Sequence, residues 1–211
     1  MPPEPLILGF DTSAAHCAAA LRSGSDIIAR AHEPMQRGQA ERLVPLLEEM
    51  LNHAGAGWRD LHAVGVGIGP GNFTGVRIAV SAARGMALAL GIPAIGVSSF
   101  EALAEGHVLP VMVLVGAPRG HVHAQIRTAP LAGKPSSGDS PRYMPLADAL
   151  AQAGATGLPV IGPDALIRAE AITAAAARRL AAGRVIERPK PLYLRAADAA
   201  PPRERPPPIL P

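Results

Sequence analysis

GVGIGPGNFTGVRIAVSAARG, running from Gly65 to Gly85, is the stretch whose reading decides the fold. It opens as a buried strand, turns through Gly67, Gly69, Pro70 and Gly71, and continues with helical spacing. A glycine-rich turn ahead of a helix is a common phosphate cradle, because helix N–H groups and a partial positive charge face the ligand. The spacing here argues against that use. No Lys-Ser/Thr follows the glycines, and Gly67-x-Gly69 does not continue into G-x-G-x-x-G. The helix suggests another purpose. Ala79, Ala82, Ala83, Gly85, Ala87 and Ala89 give it a flat surface, with Arg77 and Arg84 seven residues apart on one face. Glycine inside a helix costs roughly 1 kcal/mol against alanine, so a close contact at Gly85 is expected to compensate. These features suit helix packing with charged margins, within the fold or against a partner.

Outward from this stretch, the chain alternates elements. PLILGFDTS (Pro5–Ser13) reads as a buried strand ending at an acidic turn, and His16–Glu33 as two strands around Ser23-Gly24-Ser25. QAERLVPLLEEMLNHAG places Leu43, Val44, Leu46, Leu47, Met50, Leu51 and Ala54 at helical spacing, with Gly55 as C-cap and Pro45 near the first turn or at a kink. Strands follow at Leu61–Gly69 and Gly91–Ser99, with a short helix opening at Phe100. A meander feeding βαβ units gives a mixed sheet with helices packed on it. Beyond a boundary near Gly106 come a strand over Leu109–Ala117, a pairing strand HVHAQIRT, a polar loop Pro130–Arg142, a short strand LPVIG and an alanine-rich helix over Asp164–Ala182. The proline-rich end, PPRERPPPILP, is expected to be disordered.

Composition narrows the classes. Aromatics are only 3% while apolar residues reach 48%, so aliphatic side chains fill the interior. No basic segment followed by a long apolar run opens the chain, and no apolar run approaches the roughly 20 residues that span a bilayer. A cytoplasmic protein without membrane contact is expected. The single cysteine, Cys17, sits in an apolar strand and reads as core packing. Residues 1–107 carry a net −3 and residues 108–211 a net +6. Arg119, Arg127 and the tail are either a polyanion-facing set or simply solvated.

Four segments resemble, in order and spacing, the TsaB (YeaZ) family: GFDTS, QAERLVPLLEEML, GVGIGPGNFTGVRI and GMALALGIPAIGVSSFEAL. KPLYLRAADA (Lys190–Ala199) resembles the family's C-terminal signature. The resemblance implies an α/β, actin-like ATPase (RNase H-like) fold of two lobes, each with a mixed sheet and packed helices. The lobes would span residues 1–106 and a reduced 107–198, followed by the tail 199–211. It implies a non-catalytic subunit in formation of N6-threonylcarbamoyladenosine at position 37 of tRNAs reading codons beginning with A. Such a subunit binds and supports the catalytic TsaD subunit, works with the TsaE ATPase, meets tRNA through the complex, and forms a homodimer alone. The partner face would be Glu41, Arg42, Val44 and Pro45 with Thr74, Gly75, Arg77, Ile78, Ser81 and Ala82. No cofactor is expected in this subunit, with ATP and metal held by its partners. Two departures stand out: Gln39 replaces a histidine common in relatives, and VGAPRGHVHAQ lacks the acidic residue that often precedes its arginine.

The alternative is an enzyme, either a nucleotide-dependent transferase or a metallopeptidase-like protein. Asp11, with Thr12 and Ser13, occupies the position where actin-like ATPases act on a metal-bound nucleotide, so these three form a candidate vestigial nucleotide site. The competing reading is that Asp11 caps its own turn. The seven histidines include no His-x-x-x-His pair, so no metal site is expected. His121 and His123 share a strand face, as packing residues or a two-ligand fragment. Ser98 and Ser99 read as helix caps rather than nucleophiles.

Overall fold

A computed structural model describes residues 4–128, 137–183 and 185–194. β1 (Leu6–Asp11), β2 (His16–Ser23) and β3 (Asp26–Pro34) form the expected antiparallel meander, turning at Gly24 with φ 54°. α1 (Gln39–His53) follows and leads to β4 (Ala63–Gly67). α2 (Phe73–Leu90) then leads to β5 (Ala94–Val97). The strand order is β3-β2-β1-β4-β5, with β4 parallel to both neighbours.

The pleat of β1 divides the core. Leu8 and Phe10 face one side with Leu43, Leu46 and Leu47 of α1 and Val76, Ala79 and Val80 of α2. Ile7 faces the other side, where Ala63, Ile95 and Ala176 join it. Successive side chains on a strand point to opposite faces, which is how one strand serves both layers. Pro45 lies inside α1, at its seventh residue, and points outward. Gly55 adopts φ 66° just beyond the Ala54 cap, as its position required.

α3 (Ser99–Ala104) links to the second sheet, built from β6 (Val111–Ala117), β7 (His121–Thr128), β8 (Ser137–Gly138), β9 (Arg142–Pro145) and β10 (Val160–Ile161). β10 pairs parallel with β6, and β7 pairs antiparallel with β6, β8 and β9. The fold is therefore the expected mixed α/β architecture of two mixed sheets with packed helices. α4 (Leu146–Thr156) covers β7 through Ala149 and Ala153. α5 (Ala169–Ala181) packs on β1, β2, β4 and β5. The chain beyond Gly106 thus supplies both the second sheet and a helix of the first.

Two expectations need correction. The last helix starts at Ala169 rather than Asp164, because residues 164–168 make a turn and loop. β8 occupies part of the segment expected to be a loop, and β9 and α4 had no counterpart in the sequence reading. The proline-rich end lies outside the described residues.

Candidate functional site

The acidic turn after β1 and the glycine turn before α2 are bonded to each other. Asp11 is fully buried, and its Oδ1 accepts from Ser13 N, Ser13 Oγ and His16 Nε2, each at 2.9 Å. This is the turn-capping reading of Asp11. Thr12 Oγ1 donates to Gly75 O at 2.7 Å, and Asn72 N donates to Ser13 O at 2.6 Å. Asn72 Oδ1 accepts from Gly75 N at 2.9 Å, which caps α2. On the far side, Ser99 N donates to Gly69 O at 2.8 Å and Ser99 Oγ to Pro70 O at 2.7 Å. Ser98 caps α3 through Glu101 N, as expected.

The space that the glycines leave open is therefore occupied by the chain itself. A Cβ on Gly71 would lie 2.5 Å from Ser13 O, and one on Gly75 would lie 1.8 Å from Thr12 O. The residues present do not fit a nucleotide phosphate at this turn. Asn72 N and Gly75 N are already engaged, and carbonyl oxygens stand where an anion would sit. A cavity of about 280 Å³ opens nearby, with Ser13, His16, Gln39 and Asn72 on its polar side and Leu103 and Ile167 on its apolar side. Of the three candidate nucleotide residues only Ser13 lines it; Asp11 and Thr12 are sealed behind.

α1 and α2 lie side by side on one face of the first sheet. Outward from them stand Glu41, Val44, Pro45, Thr74, Arg77 and Ser81, with Arg42, Ile78 and Ala82 half-buried. Val44 is 45% exposed and Leu88, further along α2, 80%. Arg42 is held in a double fork. Its Nε and Nη2 donate to the Glu33 carboxylate, and Nη1 and Nη2 to Glu49, all at 2.7 Å. These bonds pull both carboxyls below the usual glutamate range and push the guanidinium above its ordinary value.

A family model described as TsaD: tRNA N6-adenosine threonylcarbamoyltransferase matches residues 31–129. The tRNA threonylcarbamoyladenosine biosynthesis protein TsaB of Escherichia coli K12 is 39% identical over 100 residues, covering 47% of this chain and 43% of its own. A Mycobacterium tuberculosis H37Rv protein described as uncharacterized is 31% identical over 206 residues, covering 92% of this chain and 94% of its own. The crystal structure of YeaZ from Pseudomonas aeruginosa superposes with a TM-score of 0.73 at 26% identity, over 90% of this chain and 100% of that one. The chain belongs to the TsaB (YeaZ) family. The segments that match the named TsaB relatives of Escherichia coli and Haemophilus influenzae span less than half of those proteins' length.

Within this TsaB-family chain, several sequence expectations take a different place. Gly75 is buried and belongs to the internal contact with Thr12 rather than to the outer face. Ala79, read as part of a flat packing surface, is sealed in the core, while a Cβ on the exposed Gly85 would meet nothing described within 4 Å. Among the described residues no close contact compensates Gly85. α2 is also, by length and mean hydropathy (1.3), apolar enough to cross a membrane, contrary to the sequence reading. Its inner face nonetheless packs on β4 and it carries Arg77 and Arg84 outward.

Arg127 is not on a polyanion-facing surface. It is buried on the side of β7 that turns to α3, and burial pulls its guanidinium below the ordinary value while Glu101 opposes the shift. Arg178 pairs with Glu105 at 2.6 Å, and Arg179 bonds Glu101 and Gly96 O. Arg119 remains exposed, with φ 61°. His121 stacks on Tyr143 at 4.8 Å and His123 tilts against it at 5.3 Å, so both histidines serve packing. Burial pushes the Cys17 thiol up to about 11, in keeping with a core residue.

One cluster escaped the sequence reading. Phe73, first residue of α2, lies 5.1 Å from the Tyr193 ring, and the Arg77 guanidinium sits 5.0 Å over Phe73. Both aromatics fall in segments that carried the family resemblance, but 120 residues separate them and no local pattern joins them.

Proposed function

We propose that this chain is a subunit, without catalytic activity of its own, of the assembly that forms N6-threonylcarbamoyladenosine at position 37 of tRNAs reading codons beginning with A. It acts by docking a TsaD-type catalytic subunit on the α1–α2 face. TsaE-type ATPase, ATP and metal belong to its partners, tRNA meets it through the complex, and the work is cytoplasmic. The observation that carries the reading is the α1–α2 face itself. Its exposed Val44, Pro45, Ser81 and Leu88 place apolar and small groups between charged margins, within the residues 31–129 that the TsaD-described family model matches. Without that partner the same face pairs with a second copy, and the homodimer competes with the heterodimer.

The test is size-exclusion chromatography with light scattering, with and without the TsaD-type subunit, alongside mass spectrometry of nucleosides from the reconstituted reaction. Ser81→Glu puts a charge on the exposed face and is expected to abolish both dimers and lower product while circular dichroism stays unchanged. A folded Ser81→Glu that forms both dimers normally sinks the assignment of this face. The enzymatic reading has one observation in its favour, since Asp11 Oδ2 is buried without a hydrogen-bond partner. That oxygen lies against Gly67 rather than in the cavity. ATP turnover by the chain alone that vanishes in Asp11→Asn would restore that reading.

A further inference from the structure

The chain holds only three Phe, two Tyr and one Trp, yet two of these six are left open to solvent side by side. Phe73 is 47% exposed and Tyr193 52%, although both rings could have been spent on a core that is otherwise aliphatic. The arrangement is held in place. Leu192 N donates to Ile68 O at 2.8 Å, fixing the segment that carries Tyr193 beside the glycine turn. Pro189 is buried in the same segment. Phe73 is fixed by the capped first turn of α2, which also brings the positive end of an 18-residue helix to the cluster.

The charge around the rings is of one dominant sign. Arg77 covers Phe73, and among the described residues exposed Arg188 and Lys190 lie within five positions of Tyr193, with Glu187 one position further off. Open aromatic faces flanked by guanidinium and ammonium groups are how proteins take unpaired nucleobases. The rings and guanidinium planes stack the base while cations follow the backbone phosphates. A protein partner would be met by the apolar part of the α1–α2 face. Cations beside open rings fit an RNA loop better.

We propose that Tyr193, Phe73 and Arg77 form a stacking platform for an unpaired base of an RNA loop, with Arg188 and Lys190 on the flanking phosphates. The proposal rests on the reading of this chain as part of a tRNA-modifying assembly and gives that reading a contact on this subunit. It places the RNA at the N-terminal end of α2, at the margin of the partner face, which the platform shares through Arg77 and leaves at Tyr193.

The test is fluorescence anisotropy of the full chain with a labelled RNA stem-loop bearing an unpaired loop, and with a fully paired duplex of equal length. The stem-loop is expected to bind more tightly than the duplex. Tyr193→Ala should weaken stem-loop binding about 5- to 160-fold, the span that stacked bases show on alanine substitution, while Tyr193→Phe keeps it. Lys190→Ala should reduce the slope of log affinity against log salt by about 0.7, as one phosphate contact is lost. Circular dichroism of each variant should match the wild type. Capture of the TsaD-type subunit should survive Tyr193→Ala.

Stem-loop affinity unchanged in a folded Tyr193→Ala overturns the platform, as does equal affinity for duplex and loop. Loss of TsaD-type capture with RNA affinity intact overturns it too, by making the cluster a protein contact. Failure of the wild type to capture the TsaD-type subunit while the RNA results hold instead sinks the proposed function and leaves the platform standing.

Discussion

The same substitution at two glycines of α2 should move stability in opposite directions. Gly75→Ala places a Cβ 1.8 Å from Thr12 O, where real Cβ atoms essentially never come within 3.0 Å. The first turn of α2 and the Asp11 turn must then separate by more than an ångström. That separation strains two bonds spanning the gap, Asn72 N to Ser13 O at 2.6 Å and Thr12 Oγ1 to Gly75 O at 2.7 Å. Overpacking of this kind costs about 1–3 kcal/mol, and each bond lost adds about 0.5–1.5 kcal/mol. The alanine preference of a helix returns at most about 1 kcal/mol. The net expectation is a loss of roughly 1–5 kcal/mol. For a chain of this size each kcal/mol moves Tm by about 2–4 °C, so mid-range losses lower it by about 6–12 °C.

Gly85→Ala meets no atom within 4 Å and sits in the same helix. It should gain about 0.5–1 kcal/mol, read as a small rise in Tm at protein concentrations too low for self-association. The pair is measured by urea denaturation and by thermal scans under one buffer. A further arm uses Thr12→Val, which removes the hydroxyl bond by itself. Because the two sites share that bond, the double variant should cost less than the sum of the singles. If Gly75→Ala is as stable as the wild type, the reasoning that Gly75 serves the Thr12 contact is wrong, whatever Gly85→Ala does.

Two pH limbs follow from buried and paired groups. The Cys17 thiol is held up to about 11 against 9.0, so the folded state keeps a proton that the unfolded state gives up. Stability should fall by roughly 2–3 kcal/mol as pH rises across that window; Cys17→Ala should flatten this part of the urea-midpoint curve, and rapid native-state reaction with iodoacetamide at neutral pH would contradict the burial. At the acid end, Glu33 and Glu49 are held below 4.5 by Arg42, so their contribution is present above that pH and lost as pH falls through their folded values. Arg42→Gln should lower Tm near neutrality and shallow its acid decline, and an acid limb that stays parallel to the wild type's would refute the fork.

What was legible in the sequence was local or periodic. The meander followed from alternation around Gly24. The inner face of α1 followed from Leu43, Leu46, Leu47, Met50 and Leu51, all buried. α4 was missed because it buries little more than Ala149 and Ala153, too small a stripe to stand out from an alanine-rich background. Arg127 looked like a surface cation because a strand's two faces are equivalent until the neighbours are known, and here α3 covers its face. Thr12 and Gly75, 63 residues apart, and Phe73 and Tyr193 meet only through tertiary folding. No window of sequence contains both members of either pair.

The glycine turn illustrates why motif and geometry part company. A glycine registers in sequence as a missing Cβ, and that vacancy serves equally for a phosphate or for a second backbone. What decides is the chemistry of whatever lines the space. A phosphate cradle needs N–H groups turned inward, whereas here the atoms at Gly71 and Gly75 are the carbonyl oxygens of Ser13 and Thr12. The Asp11 carboxylate lies against Gly67 of the same turn. An anion in the space left by Gly71 or Gly75 would face a carbonyl oxygen, with the nearby Asn72 and Gly75 N–H groups already committed. The turn is therefore selective for backbone, and its effect is to clamp the start of α2 to the end of β1. A helix clamped at one end and packed on β4 along its inner side holds its outer residues, from Thr74 to Ser81, in a fixed frame. Rigid presentation of that kind lowers the ordering cost a docking surface incurs.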